Sequence, residues 1–74
     1  MQTLIIESND GITELMWSSY AFTPDKIKEV LKLFEQIVEH KDDWEVGMWN
    51  DFYGEHLVGK LQKVTDNAFS LVED

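Results

Sequence analysis

Residues 3–22 read TLIIESNDGITELMWSSYAF, two runs rich in Ile, Thr, Trp and Tyr divided by Asn9-Asp10-Gly11. β-branched and aromatic residues suit a pleated, half-buried surface, and an Asx-Gly break between two such runs predicts a β-hairpin. Gly11 can take the left-handed conformation that closes a three-residue loop, which would set Ser8 opposite Ile12. Side chains alternate along a strand, so this register places Leu4, Ile6, Ile12, Met16, Tyr20 and Phe22 on one face, with Glu14 out of place among them. Ile5, Leu15 and Trp17 fall on the other. Both faces are then partly apolar, and a homodimer through Ile5, Leu15 and Trp17 is one way to cover the second.

Working outward, TPDKIKEVLKLFEQIVEH at 23–40 carries the marks of a helix start. Thr23 can cap, Pro24 suits the first helical position, and Asp25 complements the positive end of the helix dipole. Ile27, Val30, Leu31, Phe34, Ile37 and Val38 recur at three- and four-residue spacing as one apolar stripe, while Lys28, Glu29, Lys32, Glu35 and Glu39 point away. The stripe is expected to cover one face of the hairpin. Lys41-Asp42-Asp43 reads as the exit, and Gly47 and Gly54 interrupt any long helix, so a loop is placed at 41–49. A second helix is expected from about Asn50 to Thr65, capped by Asn50, with Phe52, Leu57, Leu61 and Val64 inward. AFSLVED at the end alternates enough for a short third strand, or else prolongs the helix by two turns; the strand is the reading taken. The fold expected is α+β, one domain over 1–74: an antiparallel β-hairpin, with that short third strand, packed on one face by two helices.

Composition narrows the function classes. A chain of 74 residues buries only about 60% of the surface its unfolded form exposes, so the stability margin should be small. Hydrophobic residues make up 43%, too many for an ordinary disordered acidic tail. No cysteine is present, which excludes disulfides, thiolate chemistry and the usual zinc fingers. The amino terminus lacks the basic start and apolar run of a signal peptide, and no apolar run reaches membrane-spanning length, so cytoplasmic residence is expected. Six basic residues, all lysine, against fifteen acids give a net charge of -9. Phosphate recognition needs the opposite balance, which argues against direct nucleic-acid binding. A dense negative field can instead steer the chain toward a basic surface, such as the groove of a nucleic-acid enzyme; the alternative is a small homodimeric structural or interaction protein whose charge serves only solubility.

Catalytic and metal signals are thin. Asp51 and Glu55 would share a helix face, but acid-base work needs a concave pocket that separates two pKa values, and about seventy residues rarely enclose one. No enzymatic activity is expected. His40 and His56 lie near Glu39, Asp42, Asp43 and Glu55 in sequence without the spacing of any metal motif, so neither metal nor cofactor is expected. The stretch EHKDDWEVGMWNDFYGEH, residues 39–56, says more, because it crowds acids and large rings together. Trp and Tyr are favoured anchors at protein interfaces, and acids around them would select a basic partner. Trp44 and Trp49 flank Gly47 in the expected loop and are the stronger contact candidates, with Tyr53 beside them.

The order of LIIESNDGITE, the helix after it and DDWEVGMWNDFYGE resembles small acidic type II anti-CRISPR proteins of phages: an L-I-I strand, an N-D-G turn, an amphipathic helix, then a Trp/acid/Phe-Tyr segment. The resemblance runs over roughly residues 3–55. In that family the acids mimic DNA phosphates and occupy the site where the nuclease reads its protospacer-adjacent motif, a contact normally made by arginines. It implies that Asp10, Asp42, Asp43, Glu45, Asp51 and Glu55 carry the mimicry. The chain departs from the pattern in lacking a leading helix and in carrying Lys60 and Lys63 beyond the acid run. FYGEHL, residues 52–57, is also similar to the Y-Y-G-E-N-L segment of the barstar ribonuclease inhibitors. The inhibitory aspartates of that family would fall at Val58 and Gln62 here, so neither its fold nor its target is carried over.

Overall fold

In the computed structural model of the protein, the described residues are 1–43 and 59–73. Their elements follow the order β1 (Gln2–Glu7), β2 (Glu14–Ser19), α1 (Pro24–His40), β3 (Gly59–Thr65) and β4 (Ala68–Glu73). The strands form a single sheet in the order β1-β2-β4-β3. β1 pairs with β2 and β3 with β4 antiparallel, while the two central strands, β2 and β4, run parallel.

The first hairpin forms at Asn9-Asp10-Gly11, and Gly11 takes φ 72° as its turn requires. Its register differs by one residue from the expected one. Glu7 lies opposite Glu14, and the Ser8 N–H donates to the Thr13 carbonyl at 2.9 Å. Side-chain bonds hold the longer loop. The Ile12 N–H donates to Asp10 Oδ1 at 3.0 Å and the Thr13 N–H to Ser8 Oγ at 3.1 Å. Short polar side chains that bond their own backbone in this way compete with the tighter turn.

A one-residue slip turns every side chain of one strand to the other face. Leu4 and Ile6 therefore pair with Trp17 and Leu15, and Ile5 pairs with Met16. Leu15 and Trp17 are fully buried, whereas Ile5 and Met16 are exposed. The expected homodimer face of Ile5, Leu15 and Trp17 does not exist as a surface.

α1 begins as expected, with the Thr23 side chain accepting from the Lys26 N–H at 3.3 Å and Pro24 in the first turn. Its buried residues are Val30, Leu33, Phe34 and Ile37. Leu33 replaces Leu31 in the expected stripe, and Leu31 remains 43% exposed. The helix is thus turned toward the centre of a sheet wider than a hairpin. Its core partners are Leu15 and Trp17 from β2, Phe69 and Leu71 from β4, and Leu61 from β3. Trp17 meets Phe22 edge-on at 4.6 Å between centroids.

The architecture of two helices on a hairpin is overturned. Residues 59–65, assigned to the end of a second helix, form β3; the start of that expected helix lies outside the described residues. Leu57, Leu61 and Val64 have helical spacing, but short apolar runs do not distinguish the two periods, and pairing with β4 decides. Leu61 is buried against Leu71, while Val64 sits at a bulge between Lys63 and Thr65 and is exposed. AFSLVE is a strand, placed in the sheet interior. Among the described residues no helix is long and apolar enough to cross a membrane.

Candidate acidic interface

Topology gathers carboxylates that the sequence scatters. β1 runs down to Glu7, β2 starts at the same end with Glu14, and the turn between them carries Asp10. β4 runs parallel to β2, so the β3–β4 turn, with Asp66, also falls at this end. The Glu14 N–H donates to the Asn67 carbonyl at 2.9 Å, joining the two turns. α1 ends here too. Lys41, just past it, donates to Thr13 Oγ1 at 3.2 Å and to Asn67 Oδ1 at 2.5 Å, which brings Glu39, Asp42 and Asp43 beside the turns.

The lysines nearby are directed inward. Lys41 is bonded to the two turns, and Lys63 donates to the Lys41 carbonyl at 3.2 Å and lies over the Phe69 ring. They tie the end together from within while Glu7, Asp10, Glu39, Asp42, Asp43 and Asp66 remain exposed. Lys26 lies at the opposite end, paired with Glu73.

Asp10 is the best-fixed of these acids. The Ser8 hydroxyl bonds its carboxylate, the Ile12 N–H donates to it, and Lys41 adds a favourable charge; together they hold its pKa below the ordinary carboxylate value. Because the folded pKa is below the unfolded one, the stabilisation is fully present above the ordinary range near pH ~4 and is lost as pH falls through the lower folded value. Asp10→Ala is therefore expected to melt below the parent protein at neutral pH, with the gap narrowing as acid is added. Thermal melts at stepped pH values check this; a gap that stays constant into strong acid would contradict it.

Of the residues singled out in the sequence, Asp10, Asp42 and Asp43 come together at this end. Trp44, Glu45, Trp49, Asp51, Tyr53 and Glu55 lie outside the described residues. Trp17 is sealed in the core, and the exposed Tyr20 follows β2 at the far end of the sheet. Glu7, Glu14 and Asp66 join the acidic end without having been singled out. Their positions at strand ends and in a turn are visible in the sequence only once the strand order is known.

An open cleft of about 370 Å³ lies between β1 and α1, lined by Ile6, Leu31, Phe34 and Val38 with Glu7 and Glu35 at its rim. Ser8 and Asn9 also line it, and the Ser8 hydroxyl is bonded to the Asp10 carboxylate. Among the described residues no group of three His, Cys, Asp or Glu side chains is placed to hold a metal ion. No family model, curated protein or solved structure matches the chain.

Proposed function

We propose that the protein is a stoichiometric acidic inhibitor whose carboxylate-rich end takes the place of nucleic-acid phosphates on the basic surface of a nucleic-acid-handling protein, such as a CRISPR nuclease. The observation that carries this reading is the convergence of two turns and a helix end that sets Glu7, Asp10, Glu14, Glu39, Asp42, Asp43 and Asp66 at one end. A charge serving solubility alone has no reason to be collected there. The pairing of Glu7 with Glu14 adds support, since like charges directly opposite on neighbouring strands work against the sheet. The resemblance to phage anti-CRISPR proteins points the same way, and the rings of Trp44, Trp49 and Tyr53, singled out in the sequence, would supply apolar contact area. The reading calls for no catalysis, cofactor or direct nucleic-acid contact.

The test is a pull-down from host extracts repeated at rising salt, with captured proteins identified by mass spectrometry and challenged with duplex DNA. Capture that weakens with ionic strength and is displaced by DNA is expected; capture indifferent to salt would sink the proposal. Glu14→Lys gives a second check. Removing the like-charge pair should raise stability by roughly 0.5 kcal/mol at low salt while weakening capture. A variant that is more stable and binds as well as the parent would place the partner elsewhere.

A further inference from the structure

We propose that the edge of β1, which no other described strand pairs with, is an interface for a second copy of this chain, the two β1 strands pairing antiparallel about Ile5. The two edges of the sheet are treated differently. β3 carries Lys60 and Lys63 and a bulge between Lys63 and Thr65, devices that keep an edge from pairing. β1 has none of them. It is paired with β2 without a break from Gln2 to Glu7, contains neither lysine nor proline, and has Leu4, Ile5 and Ile6 in its middle. Leu4 is 43% and Ile5 61% exposed.

The backbone groups on this edge can be assigned. The Ser8–Thr13 bond marks a hydrogen-bonded pair, and such pairs alternate along an antiparallel ladder. Ile6, Leu4 and Gln2 therefore bond to β2, and Thr3, Ile5 and Glu7 aim their N–H and C=O groups outward. Beside them the apolar cleft between β1 and α1, with Ile6, Leu31, Phe34 and Val38, lies where the inward side chains of an added strand would go.

A second copy fits this edge because QTLIIES, residues 2–8, reads nearly the same in polarity from either direction about Ile5. Antiparallel self-pairing sets Ile5 against Ile5, Leu4 against Ile6, Thr3 against Glu7 and Gln2 against Ser8. No carboxylate faces another. The same two-fold arrangement sends the two acidic ends in opposite directions, which limits repulsion between chains of net charge -9. This geometry does not depend on the proposed inhibitory role.

Sedimentation of the full chain from about 1 to 500 µM, with amide exchange followed by NMR over the same range, tests the proposal. The mass is expected to rise from monomer toward dimer, with the amides of Thr3, Ile5 and Glu7 gaining protection in step. Ile5→Lys, which sets two ammonium groups against each other, should give a folded monomer. Thr3→Pro is the companion variant, since the N–H it removes makes no bond to β2. A monomer at every concentration would overturn the proposal, as would association that leaves those three amides unprotected or that both variants leave unchanged.

Discussion

Leu15→Lys is expected to abolish folding, whereas Met16→Lys, one residue along the same strand, should stay within about 0.5 kcal/mol of the parent protein. Leu15 is fully buried between the sheet and α1. Truncating a leucine at such a site alone costs about 2–5 kcal/mol, and the ammonium adds the desolvation of an unpaired charge. A chain of this length has a margin of about 4–11 kcal/mol, so the sum is enough to unfold it. Met16 pairs with the exposed Ile5 on the open face, where a lysine head reaches water and its stem still covers the sheet. Urea unfolding followed by circular dichroism separates the two outcomes. The opposite ranking would show that Ser8 faces Ile12 after all and that the sheet is turned inside out.

Glu73→Ala should cost about 3 kcal/mol, far more than an exposed carboxylate contributes. Glu73 follows Phe69 and Leu71 on the inward face of β4 and is 1% exposed. Its Oε1 accepts from the indole N–H of the fully buried Trp17, and Oε2 lies 3.2 Å from the Lys26 ammonium in the first turn of α1. Alanine strands the indole N–H without a partner. Glu73→Gln keeps an acceptor for the indole and gives up only the charge opposite Lys26, whose side chain is 39% exposed and can turn to water. The amide variant should therefore lose about 1 kcal/mol. Denaturant midpoints for both variants, with Trp17→Phe to close a double-mutant cycle, give the coupling directly. Equal losses for Ala and Gln would mean that the ion pair, not the indole bond, holds this end of β4.

The two carboxylate populations illustrate different uses of one residue type. Glu73 is buried, with Oε1 bonded to the Trp17 indole and Oε2 facing the Lys26 ammonium without a hydrogen bond, and it belongs to the stability of the fold. Glu7 and Glu14 face one another on neighbouring strands, where their charge opposes the sheet. A residue that weakens the structure where a neutral one would serve is better explained by what it meets outside the molecule. Natural proteins are expected to break local rules of this kind at functional sites.

How far the chain could be read depends on the distance over which each feature is decided. The cap at Thr23 and the turn at Asp10-Gly11 are settled by neighbours in sequence, and they appear where the residues predict them, whereas Ala68–Glu73 read as strand or helix until pairing with β2 and β3 decided it. β3 was legible only as an apolar pattern with two periods, because Leu61 acquires its strand role from Leu71 across the ladder. The register of the first hairpin turned on whether the Ser8 and Asp10 side chains would bond the backbone, which spacing alone does not reveal. Glu73 carried no signal at all, since its burial depends on Trp17 and Lys26 arriving from other elements.

By itself, the sequence determined an acidic, cysteine-free α+β chain with a hairpin at its start and a capped amphipathic helix after it, because charge, caps and turns act within a few residues; the second helix it also suggested was overturned over 59–65. Only the tertiary structure decided that β2 and β4 lie side by side, that Leu15 and Trp17 face inward, and that acids from four separate segments share one end. Those outcomes depend on pairings between residues up to 56 positions apart, such as Trp17 with Glu73, whose energies exist only once the chain has closed on itself.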